Sequence, residues 1–168
     1  QRNIAMNRQI PRPRRSFIFT PGVKPEMFPK ALASGADMVC IELEDGIAPQ
    51  DKAEARMRAL KLFEEPQADD GVERIVRINS MREKFGIDDV QAVLETNTPP
   101  PSLMMPKVRT PDEVKILDQL LTERGHPTHL HVIIETNEGL EAAHDIAHSS
   151  SRIEAMFFGG IDMAAELR

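Results

Sequence analysis

The stretch Val39–Pro49, VCIELEDGIAP, begins as an apolar run and ends in three acids among four residues, Glu42, Glu44 and Asp45. The acids are followed by a glycine and soon by a proline, which mark a turn. A short apolar run bounded by turn residues is typical of a strand that is buried on both faces. Because a buried strand has no structural need for acids at its end, we expect this one to end at a functional site.

The same pattern occurs six times along the chain: an apolar run, a few polar residues and an amphipathic helical segment. Continuous apolar strands alternating with helices are typical of a parallel sheet covered by helices. Two α/β folds fit such βα units, an open doubly wound sheet and a closed (β/α)₈ or TIM barrel. The strands are predicted at residues 16–22, 37–46, 73–80, 101–108, 128–136 and 152–162.

Polar residues at the end of every predicted strand favour the barrel. They are Thr20, Glu44 and Asp45, Arg77 and Asn79, Lys107, Glu135, and Asp162. In a barrel these ends converge on one mouth, where the active sites of this fold are built. No G-x-G-x-x-G sequence follows the first strand, which weakens the dinucleotide-binding version of the open sheet. Since eight units typically need about 250 residues, we expect a partial TIM barrel with about six of them.

Composition excludes several functional classes. The chain has 168 residues, a net charge of −6 and 40% apolar residues, which fits a soluble protein and disfavours nucleic acid or anionic membrane as a partner. No apolar run approaches the roughly 20 residues needed to span a bilayer. The single cysteine, Cys40, is expected in the core, and the cytoplasm is the expected compartment. Residues 1–13 are basic and broken by proline, which predicts an N-terminal arm before a domain at 14–168.

Glu135 and Asp162 are the first candidates for metal ligands. Each follows an apolar run, and the two predicted strands are consecutive, so the carboxylates are expected side by side. Two close carboxylates repel each other unless a proton or a cation lies between them, and Mg²⁺ prefers such oxygen ligands. The alternative, two acids bonded separately to loop amides or solvent, remains open at this point.

Arg77 and Lys107 are the basic residues at the predicted mouth. The forked donors of Arg77 suit a substrate carboxylate or a developing oxyanion. Arg77 could equally brace the second and third strands by pairing with Glu44 or Asp45, and the two roles are compatible. Lys107 could bond those acids or a substrate, and the pattern favours the structural role.

As a set, these segments resemble the citrate lyase β-subunit-like family within the HpcH/HpaI aldolase–citrate lyase superfamily. That family includes malyl-CoA, citramalyl-CoA and citryl-CoA lyases. The matching segments begin with RRSFIFTPGVKPEMFPKALASGADMVCIELEDGIAPQDKAEAR and continue with VRIN, MMPKV, VIIET and FFGGIDMAAEL. They cover residues 14–168 nearly end to end, and the LEDG-x-AP-x-DK-x-x-AR block is the most specific. The resemblance implies a TIM barrel with a C-terminal lid, and hence a chain cut after its sixth strand.

The resemblance also implies roles for individual residues. The implied Mg²⁺ ligands are Glu135 and Asp162. The implied catalytic residues are Arg77, which grips the acyl part of the substrate, and Glu44 and Asp45, which support Arg77 and the metal. The implied contacts to coenzyme A are Phe19, Lys24 and Lys30.

The implied activity is a reversible retro-Claisen cleavage of citryl-, malyl- or citramalyl-CoA to acetyl-CoA and a 2-keto acid. Mg²⁺ would polarise the substrate hydroxyl, and Arg77 would stabilise the acetyl-CoA enolate. In the family, an aspartate from the C-terminal region of a neighbouring subunit supplies the acid/base. The resemblance therefore implies a homotrimer or hexamer, and these 168 residues alone are expected to be nearly inactive.

Two other functions are compatible with the sequence. One is a metal-dependent aldolase that acts on free pyruvate without coenzyme A, and the other is a non-catalytic βα scaffold. The sequence does not select the keto acid that is released, nor does it distinguish coenzyme A from an acyl carrier protein.

Overall fold

Six parallel strands form one sheet in the computed structural model, which describes residues 13–168. Their spatial order is their sequence order, and every neighbouring pair is parallel. A doubly wound sheet would reverse its order at a switch point, whereas a barrel wall does not. The predicted partial barrel of six βα units is therefore confirmed, as an unclosed sheet. The strands are β1 Phe17–Pro21, β2 Met38–Glu42, β3 Glu73–Arg77, β4 Ser102–Met105, β5 His129–Ile134 and β6 Ile153–Phe158.

Helices follow each strand, as parallel connections require. The α-helices are α1 Phe28–Leu32, α2 Lys52–Lys61, α3 Lys84–Glu95, α4 Pro111–Arg124, α5 Asn137–Glu141, α6 Ala143–Ala147 and α7 Gly160–Glu166. Short 3₁₀ helices at Pro25–Met27 and Pro49–Asp51 precede α1 and α2. No helix among residues 13–168 is long and apolar enough to cross a membrane. The basic arm predicted at residues 1–13 lies, except for Pro13, outside the described residues.

The longest helix, α4, begins and ends where its sequence signals predict. Thr110 is the N-cap and Pro111 the first helical residue, and Glu113 completes a capping box with Thr110. Gly125 follows the last turn with φ of 74°, a left-handed conformation that glycine adopts without steric penalty. The helix boundaries therefore agree with the local signals in the sequence.

Both faces of the sheet are apolar. The outer face packs against the helices through residues such as Val39, Ile41, Val76, Leu103 and Val132. The inner face, which would line a barrel, is built from Met38, Cys40, Ile75, Met104 and Ile133, with Phe17 and Phe157 packed against them. The prediction that Cys40 is a core residue is confirmed, since its side chain is fully buried.

The sixth strand ends earlier than predicted. It stops at Phe158, because Gly159 and Gly160 follow and α7 begins at Gly160. Asp162 is therefore in the first turn of α7 and not at the end of a strand, so that part of the prediction is wrong. The carboxylate still lies at the carboxyl edge of the sheet, where α7 starts.

A buried ionic network braces the opposite edge of the sheet. Glu73 at the start of β3 accepts hydrogen bonds from His131 Nε2 at 2.8 Å and from Arg14 Nε at 2.7 Å. Arg14 also bonds Glu154 at 3.1 Å. The network thus ties β3, β5 and β6 to the segment before β1. The sequence pattern predicts no role for any of these residues.

This network predicts an acid-sensitive fold. Burial alone would raise the pKa of Glu73, but the hydrogen bonds from His131 and Arg14 lower it from 4.5 to about 2. Because the folded-state pKa is the lower one, the stabilisation is complete above the unfolded pKa and is lost as pH falls through the folded value. We expect Glu73 to contribute about 2–3 kcal/mol at neutral pH, lost between about pH 5 and pH 2.

Urea unfolding at pH 6, 4 and 3 would measure this loss. The Glu73→Gln variant, which cannot ionise, is expected to be less stable at pH 6 and to depend less on pH in this range. Parallel pH profiles for Glu73→Gln and the natural sequence would contradict the assignment.

Candidate active site

A cavity of about 540 Å³ lies at the carboxyl edge of the sheet, on its inner face. Its apolar floor is formed mainly by Phe17, Phe19, Met104, Ile133 and Phe157. Its polar lining consists of Asp45, Arg77, Glu135 and Asp162. An apolar cavity with a few convergent polar groups is the usual form of a small-molecule site. The structure therefore brings four of the predicted catalytic and metal residues, together with Phe19, to one place.

Glu135 follows β5 and is buried beneath the start of α7. Its Oε1 accepts a hydrogen bond from the backbone N–H of Lys107 at 2.9 Å. Burial raises the pKa of Glu135 to about 7, opposed by this hydrogen bond and reinforced by the negative charges of Asp162 and Glu44. A carboxylate in such surroundings gains most from a proton or a cation.

Glu44 and Asp45 form an acidic turn after β2, and the ammonium of Lys107 lies against both. Lys107 Nζ bonds Glu44 and lies 2.9 Å from Asp45 Oδ2. Burial lowers the pKa of Lys107, but the two carboxylates more than offset that effect and hold the pKa above its ordinary value. Lys107 Nζ is also 4.0 Å from Asp162 Oδ2. The structural role favoured for Lys107 from the sequence thus fits its contacts.

Arg77 ends β3 and pairs mainly with Glu42, which was not the predicted partner. Its guanidinium lies 2.6 Å from Glu42 Oε2 and 3.5 Å from Glu44 Oε2. Asp45 is bonded to Lys107 instead. The reason is the strand register, which places Glu42 directly beside Arg77. The guanidinium also stacks over the ring of Phe19, at 4.6 Å from its centroid.

Lys52, a buried lysine with no role predicted from the sequence, hydrogen-bonds the backbone of the acidic turn. Lys52, at the start of α2, donates to the carbonyls of Leu43 and Glu44 at 3.0 and 2.8 Å and to the side-chain oxygen of Asn79. Asn79 in turn bonds Asp89 at 2.7 Å. All three donors of the ammonium are thereby used. The signal available in the sequence was the proline at the start of Pro49–Asp51, because the 3₁₀ helix there sets where α2 begins and so the direction in which Lys52 points.

Gly159 is the second residue that the sequence analysis missed. A Cβ at this position would lie 2.2 Å from Glu135 Oε2. Gly159 therefore leaves the space in which the Glu135 carboxylate lies. A glycine pair between a strand and a helix was a visible signal, but it was interpreted as part of the strand.

Two of the three residues predicted to contact coenzyme A, Phe19 and Lys30, line the same cavity. Phe19 is 44% exposed and lines both the main cavity and a smaller one of about 220 Å³ on the outer side of β1. Lys30 lines that smaller cavity with Phe19. Lys24 is exposed in the turn after β1 and, within the described residues, lines neither cavity.

Glu135 and Asp162 fit a magnesium ion by their chemistry. Both carboxylates line the main cavity, and both also line a neighbouring one that reaches Lys107 and Thr136. Carboxylate oxygens with space for water or substrate oxygens are the ligands that Mg²⁺ prefers. Burial, with the negative charges of Asp162 and Glu44, raises the pKa of Glu135, so a cation bound between the two carboxylates would favour its ionised form.

Three comparisons place the chain among known proteins. L-malyl-CoA/beta-methylmalyl-CoA lyase of Cereibacter sphaeroides is 37% identical over 164 residues, which are 93% of this chain and 51% of that protein. The crystal structure of RipC from Yersinia pestis matches with a TM-score of 0.76 and 32% identity over 94% of this chain and 63% of that one. The citrate lyase beta subunit of Mycobacterium tuberculosis, complexed with oxaloacetate and magnesium, matches with a TM-score of 0.72 and 30% identity, over 92% and 63%.

The chain thus spans about half the length of the curated relative that it matches. A family model covers almost all of the described part, from residue 15 to residue 168. The relatives confirm the resemblance drawn from the sequence segments. The chain belongs to the HpcH/HpaI aldolase/citrate lyase family.

Proposed function

We propose that this chain is the substrate-binding part of a Mg²⁺-dependent carbon–carbon lyase that cleaves a 3-hydroxyacyl-CoA to acetyl-CoA and a 2-keto acid. The observation that supports it most is the carboxylate pair Glu135 and Asp162 beside Arg77 in one apolar cavity. The relative named as a malyl-CoA lyase and the magnesium and oxaloacetate complex of the citrate lyase beta subunit support the same reaction class. Residues 14–168 would form the catalytic domain.

Each residue would have a defined task. Glu135 and Asp162 would hold Mg²⁺, which when bound supplies Lewis-acid polarisation of the substrate hydroxyl or keto oxygen.

Arg77, with its charge oriented by Glu42, would face the negative oxygen that develops on the thioester. Glu44 and Asp45 would fix Lys107 and help to keep Arg77 in place.

Cleavage would move two electron pairs along the substrate. A base, which the resemblance places in the C-terminal region of a neighbouring subunit, would take the hydroxyl proton, and the O–H electrons would form the new C=O bond of the keto acid. The electrons of the broken carbon–carbon bond would form the acetyl-CoA enolate, which would take up a proton from the same acid/base to become acetyl-CoA. The apolar floor around Phe17 and Phe157 would limit competing hydrolysis by keeping water from the thioester.

Coenzyme A would approach from the β1 side of the site. Phe19 lies between the main cavity and the smaller one, so its ring could contact the thioester arm. Lys30 in the smaller cavity and the exposed Lys24 would meet phosphates as point charges. A pyruvate aldolase would need neither lysine. Binding of coenzyme A by these lysines therefore distinguishes the proposed lyase from a pyruvate aldolase. We further propose that the enzyme is soluble, works in the cytoplasm and assembles as a homotrimer or hexamer.

Calorimetric titration with oxaloacetate and with coenzyme A tests the proposal. Oxaloacetate is expected to bind only with Mg²⁺ present, and coenzyme A is expected to bind several-fold more weakly to Lys30→Met than to the natural sequence. Lys61→Met, an exposed lysine at the end of α2, is the matched control and should leave both affinities unchanged. Equal coenzyme A affinity in Lys30→Met would favour the aldolase, and oxaloacetate binding that ignores Mg²⁺ would refute the metal-dependent reaction.

The Gly159→Ala variant is expected to weaken Mg²⁺ binding by about 10–100-fold. Its methyl group would lie 2.2 Å from Glu135 Oε2, well inside van der Waals contact, and would force that carboxylate away from its place. Gly160→Ala is the matched control, because a Cβ there would meet only the ring of Phe158, at 3.7 Å or more. Equal Mg²⁺ affinities for the two variants, measured by calorimetry, would show that the Glu135 carboxylate is not a ligand.

A further inference from the structure

Two pairs of carboxylates lie at the mouth of the cavity, and only one pair has a cation of its own. Glu44 and Asp45 form the turn pair, and Glu135 and Asp162 form the metal pair. Lys107 Nζ bonds Glu44 and lies 3.1 and 2.9 Å from the two oxygens of Asp45. It stands 4.0 Å from Asp162, the nearest member of the metal pair.

The backbone of Lys107 is held in an unusual conformation that serves both pairs. Its φ is 52°, and among residues 13–168 no other non-glycine residue has a positive φ. Left-handed conformations are rare for residues other than glycine, asparagine and aspartate, and they persist where the surroundings require them. Here the conformation directs the N–H of Lys107 to Glu135 and its ammonium to the turn pair.

The turn pair has the chemistry to bind a divalent ion itself. Glu44 is buried, and its Oε2 has no hydrogen-bond partner among the described residues; the Arg77 guanidinium is 3.5 Å away. Burial raises the pKa of Glu44, against the effects of Lys107 and Arg77. Without an ammonium at this position, the carboxylates of Glu44 and Asp45 would offer oxygen ligands to a second cation.

We propose that the Lys107 ammonium acts as the permanent cation of the turn pair and so restricts the mouth to a single divalent ion, bound at Glu135 and Asp162. The inference rests on the proposed metal site and adds how many divalent ions the mouth of the cavity can bind. Lys107 is a positioning residue in this account, since it acts on the ion through the carboxylates that surround it.

Counting bound ions tests the inference without any measurement of activity. Mn²⁺ serves as the probe, because it accepts the same oxygen ligands as Mg²⁺ and its free form is visible by electron paramagnetic resonance. The natural chain is expected to bind one Mn²⁺. Lys107→Met is expected to bind two, with the first ion about fivefold tighter because a positive charge 4.0 Å from Asp162 is gone.

Three further variants separate charge from backbone. Lys107→Arg keeps the positive charge and should bind one ion. Lys107→Gly adopts the positive φ without strain, keeps the N–H to Glu135, and should bind two ions. Adding Glu44→Gln to Lys107→Met should return the number to one, because the second ion then loses a ligand.

One ion in both Lys107→Met and Lys107→Gly would overturn the inference while leaving the metal site of the proposed function intact. No ion in the natural chain would overturn the inference and the proposed function together. Loss of all ions in Lys107→Gly would also overturn the inference, since it would show that the side chain is needed to form the metal pair.

Discussion

Replacing Arg77 with alanine is expected to lower the free energy of unfolding by about 3–5 kcal/mol. The guanidinium is only 17% exposed and its partner Glu42 only 6% exposed, so the variant leaves a buried carboxylate without its cation. Removing one member of a buried ion pair is far more damaging than breaking a surface pair, because the remaining charge keeps its desolvation penalty. Glu44, 3.5 Å away, would lose a favourable charge as well.

Urea unfolding of Arg77→Ala against Arg82→Ala measures this difference. Arg82 also pairs with a glutamate, Glu113, but its side chain is 46% exposed, so its loss should be about 1 kcal/mol or less. The double variant Arg77→Ala with Glu42→Gln should recover part of the stability, since it removes the unpaired charge. Equal losses for the two arginines would mean that water screens the Arg77–Glu42 pair.

Replacing Lys52 with methionine is expected to cost about 3 kcal/mol of stability and to loosen the acidic turn. Methionine fills a similar volume but leaves the carbonyls of Leu43 and Glu44 and the Asn79 amide oxygen without their shared donor. Each buried acceptor left unpaired costs on the order of 1 kcal/mol or more. Because the Glu44 carbonyl belongs to the turn that fixes Lys107, the loss should reach the mouth of the site.

Lys61→Met on the same helix is the matched control for this variant. Lys61 is exposed at the end of α2, and its replacement should change the unfolding free energy by less than about 0.5 kcal/mol. Hydrogen exchange of the turn amides should rise in Lys52→Met alone. A stability loss below about 1 kcal/mol, with unchanged exchange at the turn, would show that water replaces the ammonium.

The strand pattern was sufficient to predict the sheet and its functional edge. Apolar runs such as VCIE and HVII are buried on both faces, as the strands of a parallel sheet covered by helices are. Polar residues at the end of each run then had to meet at one edge. For this reason Arg77, Glu135 and Asp45, which the pattern predicts at this edge, line one cavity.

The pairing within the site could not be predicted from the pattern. Strand register places Glu42 beside Arg77, and register depends on the whole sheet and not on the residues themselves. Asp162 was placed on a strand because MFFGG continues the apolar run, whereas two glycines there allow a helix to begin. Lys52 was missed because a buried lysine is rare, and only the three-dimensional position of Leu43, Glu44 and Asn79 supplies its acceptors.

The missed charge pairings share one physical cause. Each joins a long charged side chain to a partner on another strand or helix, as with His131 and Glu73 across the opposite edge of the sheet. Local propensity fixes where an element begins, as Thr110 does for α4, but it does not fix which charges meet. The roles of Phe19, Lys24, Lys30, Glu44 and Asp45 in binding and catalysis accordingly remain predictions that rest on the proposed function.

We expect Glu135 and Asp162 together to hold one divalent ion in the cavity beside Arg77. A crystal grown with Mn²⁺ and oxaloacetate, with its anomalous scattering measured, would locate that ion directly. We expect one anomalous peak within about 2.3 Å of an oxygen from each of the two carboxylates, with the keto acid completing the coordination. A peak at Glu44 and Asp45, or two carboxylates that point apart with no peak between them, would contradict it.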